Sequence, residues 1–212
     1  MTETEKTGVR KLLGALGLIG LFLASGTLGF LISHHRGLSE AQRDWERRKQ
    51  VELTFSGATD SLQILPLVNW HGAKPSLKTE MGVAYLVETD QQRILFDLGH
   101  NALSQSPSPL EFNMKELGID MASINTFFIS HNHFDHVGGK KWSAENTFAT
   151  GLEQRPLGDV NIFTPVAMTY PGQTPVATSA PQVLSKAIAT TGTLRRQLFM
   201  GRIDEQALVI NL

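Results

Sequence analysis

The chain has 212 residues, 41% of them hydrophobic and 18% charged, which supplies a globular core for one domain with an appendage. A formal net charge of -1 gives no positive field for a polyanion, so no nucleic-acid partner is expected. With no cysteine, disulfides, thiolate metal sites and cysteine nucleophiles are excluded.

Residues 1–11 form a short flank ahead of an uncharged run, 12–32, "LLGALGLIGLFLASGTLGFLI". As a helix this run is roughly 31 Å long, about the hydrocarbon thickness of a bilayer. It is apolar on every face, which argues against a buried core helix and for a single-pass membrane anchor. The small triplet Ala24-Ser25-Gly26 could serve a signal peptidase, but the apolar run continues past it to Ile32, so an uncleaved signal anchor is favoured. Arg36, Arg43, Arg47, Arg48 and Lys49 follow the run and Lys6, Arg10 and Lys11 precede it. That count leans toward a cytoplasmic C-terminal domain, whereas the usual topology of a short N-terminal anchor leans the other way; the side stays open. Residues 33–59 read as a juxtamembrane linker. Within it 39–51 is expected to form a short helix of its own, with Ser39 and Gln42 as a capping box.

The globular part is expected over 60–212. "LQILPLV" (62–68) reads as a strand kept to an edge by Pro66. "GVAYLVET" (82–89) and "RILFDLG" (93–99) read as a hairpin. Ser108, Pro109 and Glu111 mark the start of a helix and Gly118 its stop. "INTFFIS" (124–130) is a short apolar strand, and so is "VNIFTP" (160–165). Pro165, Pro171, Pro175 and Pro181 mark a long surface loop; 182–196 fits strand or helix; "EQALVINL" (205–212) reads as a buried strand. This order predicts an α/β layered domain.

The strand at 124–130 runs into "HNHFDHVGG" (131–139), three histidines and an aspartate in six positions. In an extended segment residues i and i+2 point the same way, so His131 and His133 can grip one ion. Asp135 and His136 follow where Gly138 and Gly139 let the backbone turn, and can grip a second ion. Imidazole with carboxylate suits zinc, and also iron or manganese. Two such ions can share a bridging hydroxide, and Asp135 is then the candidate catalytic residue beside it. A solvent-exposed histidine-rich loop is the plain alternative; four donors at this spacing directly after an apolar strand speak against it.

"HNHFDHVGG" resembles the H-x-H-x-D-H signature of the metallo-β-lactamase superfamily, and "ILFDLGHN" resembles its strand ending in aspartate and glycine. The runs "EMGVAYLVET", "KELGIDMASINTFFISHNHFDHVGG" and "TTGTLRRQLFMGRIDEQALVINL" resemble the subgroup that includes dihydropterin ribofuranosylaminobenzene phosphate synthases. The resemblance covers roughly 60–212. It implies an αββα sandwich, seen mainly in its N-terminal half, with two divalent ions at its edge. His131 and His133 would hold the first, Asp135 and His136 the second, and Asp97 would orient a ligand from behind. His100 stands where the pattern has a small hydroxyl residue, and is expected to be a polar loop residue. The superfamily draws a further metal-binding histidine from a later position, whereas here no histidine follows His136. The notable expectation is thus an incomplete domain whose other half comes from elsewhere, with another chain as one source.

Three readings remain open at this point. The first is a membrane-anchored metal-dependent hydrolase, in which metal-activated water attacks an ester, phosphoester or amide bond of a small molecule. The second is a pterin-pathway synthase, a transferase on the same metal cradle. The third is a catalytically inactive metal-binding fragment.

Overall fold

The computed structural model describes residues 3–72, 74–199 and 201–212, and within the first helix the side chains from residue 16 onward. Two compact units emerge: Met1–Arg48 with Arg196–Arg202, and Lys49–Arg195 with Ile203–Leu212. The side chains of the two lysines and one arginine of the flank, Lys6, Arg10 and Lys11, lie outside the described residues.

The first unit is built on one helix, α1, Glu3–Arg47. Its stretch Leu16–Arg47 is long and apolar enough to cross a membrane. The separate linker helix expected from 39–51 does not form. Ser39 sits inside α1 and its hydroxyl donates to the His35 carbonyl at 3.0 Å, while Gln42 pairs with Glu46 at 2.8 Å. Nothing between Ile32 and Ser39 stops a helix except Gly37, and a single glycine costs only about 1 kcal/mol, so the anchor run and the linker continue as one rod.

The second unit carries a six-stranded sheet in the order β1-β2-β3-β4-β5-β6. Its strands are β1 (Leu62–Val68), β2 (Ala84–Thr89), β3 (Arg93–Phe96), β4 (Thr126–Phe128), β5 (Asn161–Thr164) and β6 (Val176–Ala177). The first three pair antiparallel and the last three join in parallel. β1 is an edge strand with a register shift between Pro66 and Val68, as a proline without an N–H requires.

Side chains alternate along each strand and so divide the core in two. Ala84, Leu86, Leu95, Phe127 and Ile162 point to one face, where Leu110 and Met114 of helix α2 (Pro109–Glu116) meet them. Val87, Ile94 and Phe128, with the half-buried Tyr85, Phe96 and Phe163, point to the other. There they meet Ile188, Leu184, Leu208 and Ile210 of a three-stranded antiparallel sheet, made of β7 (Gln182–Ser185), β8 (Ile188–Thr190) and β11 (Leu208–Ile210). Helix, sheet and sheet form three layers of a mixed α/β fold. β9 (Leu194–Leu198) and β10 (Gly201–Glu205) pair as a separate ribbon.

α2 begins as the sequence requires. Ser108 caps it, Glu111 closes the box, and Gly118 follows the cap at φ 69°. Asn113 on α2 is buried and supports the edge of the sheet. Its amide donates to Leu67 O at 2.7 Å and Lys78 O at 2.8 Å, and its Oδ1 accepts from Lys78 N at 2.8 Å. Asn113→Ala would leave three backbone groups unpaired in a dry place, each costing about 1–3 kcal/mol. We expect it to lose roughly 3 kcal/mol or more in a urea denaturation, against under about 1 kcal/mol for a change at the exposed Lys115.

Several expectations change. The proline-rich 165–181 is not all surface: Met168 and Tyr170 are buried, and the Tyr170 hydroxyl donates to Arg155 O at 2.7 Å. β11 is half-buried rather than buried, pairing β8 on one side. The ambiguous 182–196 forms strand rather than helix: β7, β8 and the start of β9, joined by a turn and a short loop. A short helix α3 (Lys140–Ala144) follows the glycine pair.

Candidate metal centre

The cluster lies where β4 leaves the sheet. Beyond Ile129 the chain makes one bridge at His131 and then turns, with His136 N and Val137 N both donating to His133 O at 2.9 and 3.2 Å. The turn is stitched to the loop after β3: Leu98 N donates to His136 O and Gly138 N to Gly99 O, each at 2.9 Å. Hence the two motifs that stand apart in sequence, D-L-G and H-x-H-x-D-H-x-G-G, meet as one built unit.

Their hub is Asp97, fully buried and held at a positive φ of 57°. Its Oδ1 accepts from Ser130 N at 2.7 Å, and its Oδ2 accepts from Ser130 Oγ at 2.6 Å and from His136 Nδ1 at 2.7 Å. Ser130 Oγ also lies 2.9 Å from His131 Nδ1. A hydroxyl has one proton. Ser130 gives it to Asp97, so the proton between Ser130 and His131 belongs to His131. Both imidazoles therefore carry their proton on Nδ1 and leave the Nε2 lone pair free, the tautomer that metal ligation requires.

Among the described residues one group of donors could hold an ion: His131, Asp135 and His136, with ligand atoms all within 4.8 Å of one another. Donors each about 2.1 Å from one ion lie roughly 3.4 Å apart in tetrahedral geometry, so donors as far apart as 4.8 Å would close by more than an ångström to grip one. The donor set, imidazole with carboxylate, fits a divalent ion. The group takes members from both of the pairs expected to hold separate ions. His133 stands beside it, its ring centroid 4.7 Å from that of His131; the His131 and His136 rings are 3.8 Å apart.

Electrostatics follow from this crowding. Burial, then the charges of His136 and His133, push the His131 imidazole down to about 3. Burial also opposes charge on His136, but the hydrogen bond and charge of Asp97, with Asp135 and Glu205, outweigh it and raise that imidazole. Burial raises the Asp97 carboxyl against the pull of His136 and Ser130. His131 is thus neutral and ready to ligate at pH 7.

Two further histidines fall elsewhere. His100 is a loop residue and a buried one, its ring 4.6 Å from that of Phe134, and it is outside the donor group. His71 is exposed and outside it too. A cavity of about 730 Å³ beside α2, lined by Met114, Lys115 and Leu157, includes none of the cluster. Sequence reasoning missed Ser130. The one signal for it was its place, directly between an apolar strand and the first histidine.

Residues 74–165 match the family described as Anti-Pycsar protein Apyc1. Over 88 residues the chain is 36% identical to the 7,8-dihydropterin-6-methyl-4-(β-D-ribofuranosyl)-aminobenzene-5'-phosphate synthase of Methanocaldococcus jannaschii, covering 39% of this chain and 28% of that protein. The chain therefore spans about a quarter of the length of the curated relatives it matches. Two solved structures also align. One is a metal-dependent hydrolase of the β-lactamase superfamily, 18% identical, covering 71% of this chain and 61% of the other, TM-score 0.40. The other is a quorum-quenching N-acyl homoserine lactone lactonase, 15% identical, covering 73% and 69%, TM-score 0.41. The chain resembles the metallo-β-lactamase superfamily and, within it, the subgroup of dihydropterin ribofuranosylaminobenzene phosphate synthases.

Proposed function

We propose that this chain carries the metal cradle of a metal-dependent hydrolase of the metallo-β-lactamase superfamily, held at a membrane by α1. The observation that carries the reading is the convergence of His131, Asp135 and His136, the two imidazoles held from behind by the buried Asp97 and the half-buried Ser130. A divalent ion in that cradle would supply Lewis acidity and a bound water of lowered pKa. The residues themselves do the positioning. Asp97 and Ser130 hold two imidazoles in the ligating tautomer, and Asp135 brings a carboxylate to the same point. The substrate class is an ester, phosphoester or amide of a small molecule.

The test is metal content and turnover together. Purified chain should carry zinc, iron or manganese, and His131→Ala with His136→Ala should abolish that content by elemental analysis. Hydrolysis of generic ester, phosphodiester and lactam substrates, with excess zinc or manganese, should vanish in the same variants. Unchanged metal content in the double variant would remove the reading.

The likeness to the pterin synthase favours a second reading, a transferase on the same cradle. The products distinguish them: a synthase joins two substrates, and a hydrolase consumes water.

The anchor is tested separately. The full chain should sediment with membranes and resist extraction at high pH, and a chain starting at Val51 should not. A full chain found in the soluble fraction, or with a mature N-terminus near Thr27, would exclude an anchor.

A further inference from the structure

Glu205 closes β10, and the next residue is held from several sides. Gln206 is buried, its N–H donates to Ser130 O at 2.8 Å and its amide to Ile129 O at 2.9 Å. Its Oε1 accepts from the hydroxyls of Thr190, at 2.7 Å, and Thr178. These bonds clamp the end of β10 to the segment that delivers the cluster. The clamp sets one more pairing, an antiparallel bridge between His131 and Glu205. Residues opposed across an antiparallel pair project from the same face, with Cβ atoms about 4.5–5.5 Å apart. His131 projects toward the cluster, so Glu205 faces it too, with its carboxylate outside the group of donors that lie within 4.8 Å of one another. Its charge is accordingly among those that act on His136.

We propose that Glu205 supplies a carboxylate oxygen to the divalent ion held by His131, Asp135 and His136; this rests on the reading of that cluster as a metal centre. The resulting set, imidazoles with two carboxylates, suits manganese, iron or zinc. It would also raise the protein donors to the ion above three, the usual number at a catalytic zinc with an open position. No part of the H-x-H-x-D-H motif flags the residue, because the fold and not the sequence brings it there.

The test is a cobalt(II) titration of the full chain in detergent, followed by visible absorption and by competition with a chromophoric chelator. Glu205→Gln, Glu205→Asp and the exposed control Glu153→Gln are compared. Glu205→Gln is expected to weaken cobalt binding about tenfold or more and to shift the absorption band, with Glu205→Asp intermediate and the control unchanged. Unchanged affinity and band in Glu205→Gln would overturn the proposal alone. So would weaker affinity with an unchanged band, which marks a charge acting at a distance. If the wild-type chain bound no cobalt, the metal-centre reading would fall and Glu205 with it. Should Glu205→Gln lose its folded far-UV signal, Glu205→Asp decides: a shifted band upholds the proposal and an unchanged one overturns it.

Discussion

Asp97→Asn is expected to keep the fold and lose the metal. The carboxylate accepts three hydrogen bonds, two from Ser130 and one from His136. Asparagine can keep only part of that. Its Oδ1 stays with Ser130 N, which places the NH₂ where Oδ2 was, facing Ser130 Oγ and His136 Nδ1. A donor there requires Nδ1 of His136 to accept, so the imidazole proton moves to Nε2. The nitrogen that should ligate is then blocked. Loss of such a supporting partner costs roughly 10–100-fold in metal affinity, and the reversed tautomer puts this case at the upper end. Asp97→Ala adds a folding penalty, because two N–H groups and a hydroxyl are left unpaired in a buried place, each at about 1–3 kcal/mol. Chelator competition measures the first effect and thermal melting the second. Wild-type affinity in Asp97→Asn would show that the tautomer argument is wrong.

The same residues show how far the sequence could be read. Local chemistry was legible. Ser108, Pro109 and Glu111 announced α2, Pro66 announced an edge, and the two strand runs on either side of the polar 90–92 announced a hairpin, since each depends on neighbours within a few positions. The four clustered donors were legible for the same reason. Asp97 was legible only as a strand-end residue and through a family likeness. Its contact with His136 bridges 39 positions and needs β3 beside β4. Ser130, Gln206 and Glu205 were silent because their roles come from partners fixed by sheet topology. Ser39 misled: a good N-cap residue is only a cap if the helix has reason to begin there, and α1 was already under way. His100 was legible as a loop residue, but not its burial, because the ring 4.6 Å from it, that of Phe134, comes from a loop 34 positions on.

Gly138→Ala should be among the most damaging single changes in the chain, and a paired control can show why. Gly138 has φ +86°, a conformation that favours glycine, and a Cβ there would lie 1.9 Å from Ala149 O, a backbone atom. Nothing flexible can yield. Ala149 N is bonded to Val137 O at 3.1 Å and Gly138 N to Gly99 O at 2.9 Å, so the clash is transmitted to the loops on both sides. Gly118 is the control, with φ +69° and nothing within 4 Å of a built Cβ. Gly118→Ala suffers only the left-handed backbone, about 1–2 kcal/mol. Gly138→Ala adds a steric clash to that, which places it at roughly 4 kcal/mol or beyond, in the range reserved for strain and overpacking. At about 2–4 °C per kcal/mol for a chain of this size, the melting temperature should fall by about 10 °C or more, against about 4 °C for the control. Metal binding should fall as well, since His136 is two residues away and its carbonyl is held by Leu98 N at 2.9 Å. Equal melting temperatures for the two variants would mean that the turn behind the cluster gives way freely, and that the cradle is not a rigid unit.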